Sequence, residues 1–201
     1  MKKILLFTLL FFVSVSVAAQ TNQKMNFMGV PMGIHVNEFK DKLIAKGISY
    51  DKETSRILPE GVKLFRGRYA GYSSQIYTYF NTSNKKVYHV KVKIHAVSSV
   101  AKLFGDEERR DDIIKDIKDL LLRKYPNAKF IDPNRFLLEK EDYLYRFDLS
   151  NGSIEIDYED AYTQGGTPVA PMTIRDGYNV IVDYWHLKSY DENRNRYLDD
   201  V

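Results

Sequence analysis

The clearest signal along the chain is a strict two-residue alternation over residues 87–96. Tyr88, Val90, Val92, Ile94 and Ala96 fall on one side of an extended backbone, and His89, Lys91, Lys93 and His95 fall on the other. That pattern predicts a β-strand with one dry and one wet face. Two other stretches repeat at helical spacing. Val36, Phe39, Leu43 and Ile44 form one stripe, with Glu38 in the first turn and Gly47 as the stop, predicting a helix over 36–46. Ile113, Ile114, Ile117, Leu120, Leu121 and Tyr125 form a second stripe. Acids stand near its start, Arg123 and Lys124 near its end, and Pro126 follows, predicting a helix over 106–125.

Between and after these helices the pattern predicts strands. Residues 48–54 form a short one, and 63–69 and 75–81 are rich in aromatic side chains. Residues 81–85 read as a hairpin loop. Further strands are predicted at 128–131, 135–140, 143–149 and 153–159, with Ser150-Asn151-Gly152 as a turn. Residues 163–171, with two glycines and two prolines, read as a loop. Residues 178–188 are almost continuously apolar, which suits a strand central in its sheet. Helix then strands occurs twice. The predicted class is therefore α+β, with two tandem units, each a single helix packed on its own antiparallel sheet. Their bounds are 27–100 and 101–190, with a polar tail over 191–201.

The N-terminal pattern differs. Lys2 and Lys3 precede an apolar run to Val17, and Val17-Ala18-Ala19 supplies small residues before Gln20. This predicts a signal peptide over 1–19 and a frayed segment over 20–26. The mature chain is then periplasmic or extracellular, with no membrane span after cleavage. The chain has no cysteine, which excludes a lipid anchor on cysteine, a disulfide, a thiolate nucleophile and a zinc-thiolate site. The formal charge of +3 falls to +1 without Lys2 and Lys3, and no basic face is clustered enough to predict nucleic acid. Fifteen tyrosines suit half-buried sheet positions with wet hydroxyls, and equally suit binding surfaces.

Gly29-Val30-Pro31-Met32, the helix end Leu43 to Gly47, the segment Gly67-Arg68-Tyr69-Ala70-Gly71, and Leu121 to Tyr125 occur in this order. Over residues 27–126 the chain resembles a group of small exported Bacteroidetes proteins with a G-[IV]-P-[IM] opening motif. The repeated order of elements is also similar to the tandem arrangement of the β-lactamase-inhibitor-protein and BamE-like folds. The first resemblance carries no catalytic residues. The second implies protein binding rather than catalysis, by analogy of fold alone.

Candidate chemistry is sparse. His89 and His95 share a strand face but lie about 20 Å apart, too far to chelate one ion. Gly71-Tyr72-Ser73-Ser74-Gln75 lacks the final glycine and the strand-to-helix context of a nucleophile elbow. Gly29 and Gly33 lack the Lys-Ser/Thr of a phosphate loop. Residues 191–195 begin like a calcium loop, but position six is Arg196 and no twelfth-position Glu follows. Glu155, Asp157 and Glu159 alternate on one strand, with Asp183 as a possible neighbour. Their spacing permits carboxylate chemistry, and it is also the pattern of any solvated strand face.

The basic stripe of residues 89–93 and the acidic stripe of 155–159 either present opposite patches to a partner or pair with each other across strands. The sequence reading is thus a non-catalytic binding or protein-interaction module of the cell envelope. Tyr77, Tyr79, His89, Lys91, Lys93, Glu155 and Asp157 are the candidate binding residues, no cofactor or metal is implied, and the partner is a protein or glycan. The alternative is a carboxylate-dependent hydrolase using the acids of the second half.

Overall fold

A computed structural model describes residues 24–96, 106–133, 143–167 and 170–189. The predicted signal peptide, the strand at 135–140 and the calcium-like segment at 191–195 lie outside the described residues.

The elements are β1 (Asn26–Phe27), β2 (Val30–Pro31), α1 (Val36–Ile44), β3 (Ser49–Asp51), α2 (Lys52–Ile57), β4 (Val62–Tyr69), β5 (Tyr72–Phe80) and β6 (Val87–Ala96). They continue with α3 (Asp106–Lys124), β7 (Lys129–Ile131), β8 (Tyr145–Leu149), β9 (Gly152–Thr167) and β10 (Ala170–His186). β1 and β2 form a small ribbon. The other eight strands form one antiparallel sheet in the order β3-β4-β5-β6-β10-β9-β8-β7.

This overturns the expected two tandem units, each a helix on its own sheet. The chain is mostly β, and β6 and β10 join its two halves into one sheet, in register from Tyr178 opposite Ala96 to Trp185 opposite His89. The physical reason is the edge. Two separate sheets would each leave a long apolar strand with unpaired backbone groups, and joining them satisfies both. The near-continuous apolar run of β10 is explained by this central position.

One hydrophobic core accompanies the one sheet. Phe39 and Leu43 of α1 and Ile113, Ile117 and Leu121 of α3 belong to the same buried cluster as Val90, Val92 and Ile94 of β6, Val180 and Val182 of β10 and Ile156 of β9. Register pairing places these strand residues on one face, so α1 and α3 share that face. Phe27 seals the core, stacking on Tyr69 at 6.0 Å between ring centroids and meeting Tyr184 edge-on at 5.2 Å.

Local chemistry sets the ends of the elements. His35 caps α1 by accepting from the Asn37 N–H. Gly47, at φ +81°, closes its other end, and the Ile48 N–H reaches back to the Leu43 carbonyl. The short strand predicted at 48–54 stops at Asp51, where helix α2 begins. Asp51 accepts from both the backbone N–H and the hydroxyl of Thr54 and from Arg66. The Thr54 backbone bond first, then the Arg66 and Thr54 side chains, hold its carboxyl below the usual range. The loop expected at 163–171 is instead mostly strand, because β9 runs to Thr167 and β10 restarts at Ala170. Backbone pairing between the two long strands overrides the local turn preference of the glycines and prolines. No helix among the described residues is long and apolar enough to cross a membrane.

Candidate functional site

The face opposite α1 and α3 is built row by row from register pairs. One row runs Tyr77, Lys91, Asp183, Glu155 and Arg146 across β5, β6, β10, β9 and β8. The next runs Tyr79, His89, Trp185, Ser153 and Asp148. On the other side of the first row lie Gln75, Lys93, Ile181 and Asp157. All seven sequence-predicted residues, Tyr77, Tyr79, His89, Lys91, Lys93, Glu155 and Asp157, therefore point to one face in three adjacent rows. The alternation of each strand fixes the side, and the β6–β10 junction brings residues from the two halves of the chain side by side.

The second row is an aromatic stack. The His89 ring lies between Tyr79, with centroids 4.6 Å apart and planes within 16°, and Trp185, at 3.7 Å and 6°. His89 is only 5% exposed, and its Nε2 bonds Asp183 Oδ1 at 2.5 Å. Burial drives the imidazole pKa below its ordinary value of 6.5. Asp183 opposes that shift without reversing it, and Lys91 adds to it. At neutral pH His89 is thus an uncharged ring that donates Nε2–H to the Asp183 carboxylate. Burial, and then the Asp183 charge, also raise the Tyr79 hydroxyl.

The charged groups interlock. Lys91 Nζ lies 3.9 Å from the second oxygen of Asp183. Arg146 bridges Asp148, at 2.6 Å from Nε, and Glu155, at 3.1 Å from Nη1. The Trp185 indole N–H donates to the other Glu155 oxygen at 3.2 Å. Lys93 donates to Glu159 at 2.8 Å, and the Asn179 amide reaches the same oxygen at 3.3 Å. The basic stripe of β6 and the acids of β9 and β10 therefore pair with each other across strands. Each half-exposed pair contributes about 0.2–1 kcal/mol. Glu155 is the exception in character: burial raises its carboxyl above the usual range, and Arg146 only partly offsets this. A recess of about 280 Å³ opens beside it, lined by Arg146, Ser153, Glu155, Trp185 and Leu187.

A larger cleft, about 1090 Å³, lies on the same face beyond the Lys93 row. Its floor carries Arg66, Arg68, Ser73, Gln75, Lys93, His95 and Asn179, which register pairing places on the side of Tyr77 and Lys91. Lys46, Gly47 and Ile48 line it where α1 leads into β3, and Asp160, Ala161 and Tyr162 of β9 also line it. A register shift between Arg175 and Tyr178, with Gly177 at φ +100°, places a bulge in β10 opposite Ala161.

Other sequence candidates fall elsewhere. Gly71 to Gln75 is a hairpin entering β5; Ser73 is exposed, and Ser74 is buried and donates to the Gly67 carbonyl. His35 caps a helix and His186 bonds Ser189. Among the described residues, no group of three or more His, Asp or Glu gathers in a way that would hold a metal ion. Sequence reading missed Trp185, Arg146 and Asn179. The apolar neighbours of Trp185 and Asn179 in β10 masked their alternation; Arg146 follows the alternation of β8, but nothing in the sequence marks Glu155 as its partner. Comparison of the chain with protein-family models, curated proteins and solved structures finds no match.

Proposed function

We propose that this protein is an exported, non-catalytic binding module of the cell envelope that docks a protein or glycan on the sheet face opposite α1 and α3. The observation that carries this reading is the juxtaposition of rings and paired charges from both halves of the chain in three adjacent rows of that face. Tyr77 and Tyr79 offer amphipathic rings with little conformational entropy to lose, on a backbone held by strands on both sides. The acids support binding more than catalysis, since Asp183 is held by His89 and Lys91, and Glu155 by Arg146 and Trp185.

The test is capture from an envelope extract with wild type and with Tyr77→Ala/Lys91→Ala. A partner retained by wild type and lost by the double variant is the expected outcome. Identical capture by both proteins, or none by either, removes the reading.

One observation favours a second reading, a carboxylate-dependent hydrolase. Glu155, with its pKa raised by burial, faces a recess and pairs in register with Asp183. A carboxyl whose pKa is raised by burial, placed beside a second carboxyl, is an arrangement used for general acid chemistry. Screening of glycoside and ester substrates with wild type and Glu155→Gln tests it. Turnover abolished by the substitution supports the hydrolase, and no turnover of any substrate removes it.

A further inference from the structure

The larger cleft differs from the rest of the face in its charge balance. On the three rows, cations and acids answer one another. In the cleft two cations, Lys46 and Arg68, are exposed and have no ion-pair partner among the described residues. Arg66 is paired with Asp51 and Lys93 with Glu159, so both are already positioned. The lining holds four cations, Lys46, Arg66, Arg68 and Lys93, against one acid, Asp160, and the Lys46 ammonium lies at the rim beside Gly29 of the β1–β2 turn. Gln75 adds an amide, Ser73 a hydroxyl and Tyr162 an exposed ring, while Asn179 is buried and already bonded to His95 and Glu159. Apolar side chains are few.

We propose that this cleft is a binding site for an acidic oligosaccharide, with Arg68 and Lys46 taking its carboxylates. The assignment rests on the reading of this face as a binding surface and names the ligand class for one part of it. Arg68 supplies a planar fork that matches a carboxylate, and Lys46 a point charge on a flexible stem. Gln75 and Ser73 suit sugar hydroxyls, which both donate and accept. The exposed ring of Tyr162, 59% accessible, offers an apolar face for a pyranose ring. A volume of about 1090 Å³ accommodates several sugar units and exceeds what a single small anion needs.

Titration calorimetry of the full chain tests this, with trigalacturonate as the probe, a neutral trisaccharide of equal length, and hexaglutamate. Trigalacturonate is expected to bind, more weakly as salt rises, and the neutral sugar about tenfold less tightly or not at all. Arg68→Gln and Lys46→Gln each lower trigalacturonate affinity about tenfold. Lys129→Gln, exposed on the far edge strand, leaves it unchanged. Both cleft cations are exposed, and unchanged melting shows that the variants fold. If one does not, the other variant decides.

No heat with trigalacturonate overturns the proposal. So does equal affinity for the neutral sugar, or insensitivity to both substitutions. Tighter binding of hexaglutamate assigns the cleft to an acidic peptide and overturns it too. Loss of trigalacturonate binding alone, with capture through Tyr77 and Lys91 retained, removes this assignment and leaves the binding module standing.

Discussion

The imidazole of His89 lies flat on the indole of Trp185, with ring centroids 3.7 Å apart, while its Nε2 holds Asp183. One residue comes from each half of the chain, and the contact exists only because β6 pairs with β10. It ties the junction of the sheet to a titratable group, and it is open to measurement because Trp185 is the only tryptophan in the chain.

Fluorescence of Trp185 reports the charge on His89. The titration midpoint is expected below 6.5, because burial disfavours the imidazolium more than Asp183 favours it. His89→Asn abolishes that transition. The sign for stability follows. Because the folded-state pKa is depressed, the His89 contribution is complete above the ordinary value of 6.5 and is lost as pH falls through the folded-state value. Melting curves at descending pH should show a steeper fall for wild type than for His89→Asn. A midpoint above 6.5 contradicts the assignment of a neutral ring.

The hydroxyls of Tyr69 and Tyr184 meet at 2.6 Å in the core, both fully buried, and burial raises both well above the ordinary phenol range. Tyr184→Phe leaves the Tyr69 hydroxyl without this partner and is expected to cost about 1–3 kcal/mol. The double change to Phe removes both polar groups and should recover much of that loss. Urea unfolding of the two singles and the double measures the coupling, and strict additivity speaks against it.

Arg110 anchors the start of α3 to the sheet. Its guanidinium lies 4.2 Å from the Tyr158 ring centroid and 4.5 Å from that of Tyr178, whose hydroxyl also donates to Glu107. Arg110→Ala should cost about 1–2 kcal/mol, and Arg110→Lys, which keeps the charge and loses the plane, should fall between. Hydrogen exchange localises the effect: amides in the first turns of α3 are expected to lose protection before those of β10.

Thr78 is buried on the core face of β5, and its hydroxyl has no hydrogen-bond partner among the described residues. Valine has the same shape without the polar group. Thr78→Val should therefore leave the fold unchanged and raise the melting temperature. A destabilised Thr78→Val variant shows that the hydroxyl is satisfied in solution.

Gly152 opens β9 where no side chain fits. A Cβ there would stand 1.9 Å from the Trp185 carbonyl oxygen and 2.8 Å from the Met25 side chain. Gly152→Ala must push one backbone away from the other, and a loss of about 1–3 kcal/mol in denaturant unfolding is expected. An alanine tolerated without loss of stability rules out that close approach.

Much of this protein was determined by short-range pattern. The alternation of residues 87–96 put Val90, Val92 and Ile94 of β6 in the core, though His89 on the opposite face is buried as well, and the stripes over 36–44 and 113–121 put Phe39, Leu43, Ile113, Ile117 and Leu121 there while Ile44 stays exposed. These follow from local geometry, since strand and helix periods are properties of the backbone itself. What the pattern left open was pairing between distant segments. The similar order of elements in the two halves suggested two sheets. The long apolar strand β10 instead had a better partner in β6 than in solvent, and a single sheet resulted. The same step placed Trp185 on His89, Arg146 beside Glu155 and Lys93 beside Glu159, and opened the cleft beyond them. No local period encodes a contact between residues that far apart in the chain. Only satisfying both edges at once decided it.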